Sequence, residues 1–353
     1  MLDKKNLLGF TQQQLNEFFS QIGEKPYRTR QLMQWIYKKH EFDFDNMLNL
    51  SKTLRGKLKS IANINLPNVV EQNFATDGVI KWVVGLGEHN NIEMVYIPEK
   101  DRGTLCISSQ VGCALACTFC STGMQGFNRN LSTAEIISQV LIASKYLDSQ
   151  NKRISNVVFM GMGEPLLNED AVYDACDLLL DDLAFGLSRR KVTISTSGVV
   201  PAMLRMADRT NVSLAISLHA PDDKLRSELV PINEKYPINE LLDACKNYLK
   251  AGDQERHILF EYVMLDRVND SVDYANKLAK LLKGMSSKVN LIPFNPFPQT
   301  NYKTSKSSAI ERFQDILHNS GIRTMTRRTR GEDVDAACGQ LAGKVLDKTK
   351  RNI

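Results

Sequence analysis

Apolar residues up to Ile61 recur every three or four positions. Leu15, Phe18, Phe19 and Ile22 line one face of a helix predicted over 11–22, and further helices are predicted over 29–39 and 51–61, with a short turn through Phe42 and Phe44 between them. Thr11 and Ser51 stand at N-cap positions, where a side-chain oxygen can take up a free backbone N–H. From Val69 the period shortens to two. Runs 80–86 and 91–98 alternate on either side of a turn at Gly87 to Asn90, which predicts a hairpin leading into a β-like segment at 104–109.

Beyond residue 130 short apolar runs alternate with longer amphipathic ones. Helices are predicted over 133–146, 171–183, 201–208, 239–250, 271–283 and 309–320, and strands over 155–160, 191–196, 212–218, 258–265, 289–294 and 323–327. Strands separated by helices of this length need right-handed parallel crossovers. Six of them make an α/β fold, an open, partial TIM-like barrel written (β/α)6, with a small N-terminal helical accessory domain. The expected divisions are 1–75 for the helical module, 76–100 for the hairpin extension, 101–335 for the barrel and 336–353 for a C-terminal segment.

A chain of 353 residues can bury a large core. Neither a secretory leader nor a membrane-length apolar run is legible, which points to the cytoplasm and away from the membrane. Seven cysteines in such a chain argue for thiol or metal chemistry in a reducing compartment rather than a disulfide scaffold. The net charge of +5 is modest, but its distribution is uneven. Basic residues gather at Lys25, Arg28, Arg30 and Lys38 to His40, again at Lys52, Arg55, Lys57 and Lys59, and again at Arg323, Arg327, Arg328 and Arg330. Runs flanking a core in this way suit RNA, whose phosphates they can neutralise.

Cys113, Cys117 and Cys120 form a Cys-x3-Cys-x2-Cys run just after segment 104–109. Three thiols so close can face one metal centre, and thiolates select zinc, copper(I) or iron–sulfur clusters. A structural zinc usually closes with a second knuckle, and none follows here, so a [4Fe–4S] cluster with one open iron is favoured over zinc. In a partial barrel the functional residues sit on loops after the strands. Those loops hold Gly161-Met162-Gly163-Glu164-Pro165, Ser195 to Gly198, Ser217 to His219 and Asn295 to Phe297. Cys176 and Cys245 fall among apolar helix positions and read as inert core thiols.

The three-cysteine spacing, with Phe119 before the last cysteine, resembles the radical S-adenosylmethionine (SAM) enzymes. That resemblance implies that the free iron chelates SAM and that an electron from the cluster cleaves it to a 5′-deoxyadenosyl radical. It assigns Gly163 and Glu164 to the SAM amino group, and Ser195, Ser217, Leu218, His219 and Asn295 to its ribose, carboxylate or adenine. The stretch Ala337-Cys338-Gly339-Gln340-Leu341 narrows the likeness to the RlmN family of radical SAM RNA methyltransferases, and the likeness runs over nearly the whole chain. It implies two SAM molecules per turnover: one methylates Cys338, the other activates that methyl group for addition to C2 of an adenine. Glu93 would accept the ring proton, and Cys106 would resolve the protein–RNA adduct as a disulfide with Cys338. The implied partners are 23S rRNA at the peptidyl-transferase centre, certain tRNAs and a reductant such as flavodoxin, with the enzyme a monomer. The sister group resembling Cfr, which methylates C8, shares the cluster, the Gly-Met-Gly-Glu loop and the Ala-Cys-Gly-Gln-Leu segment; the 293–297 and 327–331 stretches look more like RlmN.

Overall fold

The computed structural model describes residues 4–87, 89–252, 256–343, 345 and 347–349. In the N-terminal module Thr11 and Gln14 exchange hydrogen bonds as a capping box that starts α1 (Gln12–Gln21). The helix α2 (Tyr27–Met33) continues into a π-helical turn at Gln34–Lys38, and α3 (Lys52–Ile61) begins at the Ser51 cap. Leu15, Phe19, Leu32, Met33, Ile36 and Leu58 are fully buried between these helices, each contributing roughly 1.5–3 kcal/mol. The short strands β1 (Lys5–Asn6) and β2 (Ala62–Asn63) pair in parallel and close the module. It packs on the barrel: the Tyr37 and Phe185 rings are 5.4 Å apart, and Gln14 donates to Asp174 at 2.8 Å.

An antiparallel meander follows, of β3 (Asn68–Phe74), β4 (Ile80–Gly85), β5 (Asn91–Pro98) and β6 (Gly103–Cys106). The predicted hairpin is β4–β5. β3 lies inside the span expected for the helical module, yet it pairs with β4 along its length, because Val69 to Phe74 can satisfy its backbone only against that neighbour. A small ribbon of β7 (Gln110–Gly112) and β8 (Phe127–Asn130) brackets the cysteine loop and α4 (Ser121–Met124).

The βα rhythm then appears as α5 (Thr133–Asp148), β9 (Asn156–Phe159), α6 (Glu169–Leu180), β10 (Val192–Thr196), α7 (Val200–Arg209) and β11 (Ser213–Ser217). It continues through α8 (Asp223–Leu229), α9 (Ile238–Lys250), β12 (Ile258–Met264), α10 (Val272–Leu281), β13 (Ser287–Pro293), α11 (Ser307–Asn319) and β14 (Arg323–Thr326). All six predicted βα strands are present, and β6 joins them as a seventh parallel strand. The ten-stranded order is β14-β13-β12-β11-β10-β9-β6-β5-β4-β3, so the sheet is open at both ends.

Register sorts the side chains of this sheet. Val95 faces Cys106, which faces Val158, so Glu93, Val95, Cys106 and Val158 share one face. That face is concave and lines a chamber of about 720 Å3, together with Thr193, Leu259, Glu261, Asn290 and Ile292. The alternate residues Leu105, Val157, Ile194, Phe260 and Leu291 are fully buried in the main core.

Candidate active site

The cysteine loop leaves β7 at Gly112, whose φ of +76° and contact with the Gly126 carbonyl leave no room for a Cβ. The loop is tied down by Cys113 N–H to Gly126 O at 2.7 Å and Thr118 N–H to Leu229 O at 3.2 Å. Cys113, Cys117 and Cys120 consequently line one pocket of about 160 Å3. Among the described residues no three His, Cys, Asp or Glu form a site for a single metal ion; the three thiols share the wall of one pocket. Burial pushes all three thiols up, Cys117 to about 12, and each is raised further by a neighbouring thiol. Such a set is stable as thiolates only around a bound cation, so the donors fit a thiolate-ligated cluster.

The strand-end loops open into the same pocket. Gly163, Glu164, Ser195, Ser217, His219 and Asn295 all line it, beside the three cysteines and Cys338. Leu218 is fully buried and does not line it. Its carbonyl accepts from the Arg226 guanidinium, so it serves the site through its backbone. Glu164 is 3 % exposed; its carboxylate accepts the N–H groups of Ser197 at 2.8 Å and Leu166 at 3.1 Å. Burial nevertheless raises its pKa, although the Thr196 and Ser197 side chains hydrogen-bond to it as well.

Gly161 and Gly163 lie hard against other parts of the protein. Both permit a close backbone approach, and the near neighbour is protein. A Cβ on Gly161 would meet Ile107 and Ser108, and one on Gly163, at φ +99°, would lie 2.5 Å from the Gln110 side chain. These glycines let the loop press on the segment after β6, where Gln110 accepts the Glu164 N–H at 2.8 Å.

His219 is also held by the protein. Its Nδ1 accepts the Val263 N–H at 3.0 Å, and its ring stands edge-on to Phe119 with centroids 4.4 Å apart. Burial lowers its pKa to about 3, so the ring is neutral. Arg226, which sequence reasoning passed over, is fully buried and donates to the carbonyls of Ser197, Ser217 and Leu218 and to Asn233. One guanidinium thus fixes two strand-end loops. It lies in a helix of ordinary polar composition, and nothing in the local sequence marks it.

The C-terminal segment folds back across the barrel mouth. Asn295 donates to Cys338 O at 3.1 Å, Ser121 N–H to Gly339 O at 2.8 Å, and Thr122 to Leu341 O at 2.6 Å. Cys338 lies where the cysteine pocket meets the larger chamber and lines both. Cys106 lines the chamber too and is pushed up to about 12, first by burial and then by Cys338. Glu93, which strand alternation alone would leave in solvent, is 6 % exposed; it pairs with Lys81 at 3.6 Å and accepts the Ala342 N–H at 3.1 Å. Arg327 donates to Cys338 Sγ at 3.3 Å. Arg330 turns inward to Asp77 and the Pro98 carbonyl, so the third basic run is not one solvated face. Of the expected segment 336–353, residues 344, 346 and 350–353 lie outside the described residues.

An open parallel barrel whose strand-end loops share a pocket with three clustered cysteines defines a radical SAM enzyme, and a model of the radical SAM superfamily matches residues 107–278. Residues 5–64 match the ribosomal RNA large subunit methyltransferase N-terminal domain. The chain is 74 % identical over 350 residues to the dual-specificity RNA methyltransferase RlmN of Ruthia magnifica, covering 99 % of this chain and 98 % of that one. It is 73 % identical to the protein of the same name from Vesicomyosocius okutanii, with the same coverage. A crystal structure of a radical SAM methyltransferase from Sphaerobacter thermophilus superposes with a TM-score of 0.90 at 41 % identity, over 96 % of this chain and 99 % of that one. The chain therefore belongs to the RlmN family of radical SAM RNA methyltransferases, whose cofactors are a [4Fe–4S] cluster and SAM. No described helix is long and apolar enough to cross a membrane.

Proposed function

We propose that this enzyme methylates C2 of adenine in 23S rRNA and in certain tRNAs, through a methyl group carried on Cys338. The observation that carries the reading is the place of Cys338, on the wall between the three-cysteine pocket and the chamber holding Cys106. When bound by Cys113, Cys117 and Cys120 and by the strand-end loops, cluster and SAM supply a methyl group and a carbon radical generator. Gly163 and Glu164 would hold the SAM amino group, and Ser195, Ser217, the Leu218 backbone, His219 and Asn295 the rest of that molecule, two molecules being used per turnover.

The remaining roles belong to side chains in the chamber and, for Glu93 and Lys81, on the strands beside it. The Cys338 sulfur, held by the Arg327 guanidinium, accepts and presents the methyl carbon. Glu93 takes the proton from the ring carbon, with Lys81 beside it to balance its charge. The Cys106 thiolate then attacks the Cys338 sulfur: the S–S bond forms as the bond from that sulfur to the methylene carbon breaks. The electron pair leaves with the adenine-bound carbon, which takes up a proton to become the methyl group, and a reductant must supply two electrons to reopen the disulfide. A flavodoxin-type donor, a monomeric enzyme and a cytoplasmic setting fit this chemistry. The name shared by the relatives supports action on both RNAs.

The test is nucleoside mass spectrometry of 23S rRNA and tRNA from cells with and without the gene, against 2-methyladenosine and 8-methyladenosine standards. Loss of 2-methyladenosine from both RNAs is expected; loss of 8-methyladenosine would move the chain to the C8 chemistry. Cys338→Ala should abolish methyl transfer and keep the cluster absorbance, and loss of the cluster in that variant would overturn the role given to Cys338.

A further inference from the structure

Two buried oxygens in the chamber have no partner. Glu261 and Asn290 face each other directly across β12 and β13, and Asn290 Nδ2 donates to Glu261 Oε1 at 3.0 Å. That bond assigns the amide nitrogen to Glu261 and leaves Glu261 Oε2 and Asn290 Oδ1 buried, neither hydrogen-bonded. Glu261 is 3 % exposed. Unpaired buried acceptors are costly, on the order of 1–3 kcal/mol each, so a pair of them on adjacent strands calls for a ligand with two donors.

Their position says which ligand. Asn290 lines the chamber that contains Cys106 and Cys338 and does not line the pocket of the three cysteines; Glu261 stands on the boundary between the two. Asn290 is therefore on the side of the reacting sulfurs, and Glu261, like Cys338, reaches both spaces. The chamber, about 720 Å3, has room for a nucleobase. An exocyclic amino group carries two N–H donors on one nitrogen, and on adenine it is attached to C6, one ring atom across N1 from C2. A base gripped there by its amino group can turn C2 toward Cys338. Burial pushes the Glu261 carboxyl up against the opposing pull of the nearby Arg327 charge and the Asn290 bond, and a donor arriving at Oε2 would favour the carboxylate further.

We propose that Glu261 and Asn290 recognise the exocyclic amino group of the adenine to be methylated, which makes them specificity-determining residues of the chamber. The inference rests on the reading of Cys338 as the methyl carrier for an adenine. It explains why a carboxylate and an amide sit on the concave face of a barrel whose other face beside this pair is apolar apart from the Tyr262 hydroxyl, which has its own partner in the Asn269 carbonyl.

The experiment is a competition in one tube between two RNA substrates, one with adenosine at the target position and one with purine riboside, which has hydrogen in place of the amino group. The ratio of methylated products cancels differences in folding or cluster content between enzyme preparations. The wild-type enzyme should favour adenosine on the order of a hundredfold, the discrimination available from hydrogen bonds to a charged acceptor. Glu261→Gln and Asn290→Ala should each bring the ratio to within a few-fold of unity. An unchanged ratio in both variants overturns the proposal, as does a wild-type enzyme indifferent to the amino group. So does a loss shared equally by both RNAs and reversed by raising SAM, because the acceptors would then serve the cofactor. If the wild-type enzyme methylates neither RNA, the reading of Cys338 falls first and this inference with it.

Discussion

The guanidinium of Arg327 donates a hydrogen bond to the sulfur of Cys338 across 3.3 Å, joining the first residue beyond β14 to the tip of the C-terminal segment. Arg327 is itself placed by the sheet, since its N–H continues the ladder to Leu291 O at 2.8 Å. Its own pKa is raised, first by Cys338 and then, after burial, which opposes the rise, by Glu261 and Cys106. A cation so placed holds the sulfur in position through a charge-assisted hydrogen bond.

Arg327→Met should therefore slow methylation of Cys338 by roughly ten- to a hundredfold, the equivalent of one charge-assisted hydrogen bond. Arg327→Lys should recover part of the rate, keeping the charge without the planar fork. Mass spectrometry of the Cys338 peptide over time provides the rate, and equal rates in wild type and Arg327→Met would show the contact to be incidental.

Cys106 predicts a pH dependence. A thiol pushed up to about 12 is almost wholly protonated near neutrality, so its thiolate fraction climbs about tenfold per pH unit until that value is approached. Resolution of the protein–RNA adduct should quicken with pH at close to that slope, while Cys106→Ala should leave the adduct in place at every pH. Denaturing gels that follow the adduct would reveal either a rise or a flat profile, and a flat one removes Cys106 from this step.

His219 gives a dependence of the same sign, in stability rather than rate. Its folded-state value of about 3 lies below its ordinary 6.5, so on acidification the unfolded chain takes up the proton first. Stability present above pH 6.5 is lost as the pH falls toward 3, by at most about 1.4 kcal/mol per unit. His219→Asn can keep the acceptor and tolerates the residue's φ of +61°. Thermal melting of the two proteins across that range should show curves that diverge above pH 3 and run parallel above 6.5.

Gly163→Ala places a methyl group 2.5 Å from the Gln110 side chain in a left-handed backbone conformation. The cost is about 1–3 kcal/mol of strain, and it falls on the loop that presents Glu164. Melting should drop by a few degrees, and the stabilisation given by added SAM should shrink more than tenfold in terms of affinity. A normal SAM response would mean that Glu164 is positioned independently of this glycine.

The sequence by itself determined the elements and the ligand set. Capping residues at Thr11 and Ser51, helical spacing in the βα repeat and three cysteines in eight residues are local signals, complete within a few turns of chain, and each reappears in the structure. Strand-end position was legible as well, because a parallel barrel sends every such loop to one mouth. The tertiary structure alone decided the rest. Glu93 reads as solvated until the fold-back of Ala342 buries it, and β3 reads as module until β4 supplies its partner. Arg226, Arg327 and the Glu261–Asn290 pair lie among ordinary residues and acquire meaning only from the partners of their side chains, 7 to 29 residues away, across strands or loops. Burial and the pairing of buried polar groups are properties of surroundings, and surroundings exist only once the sheet has curved and the last segment has closed over it.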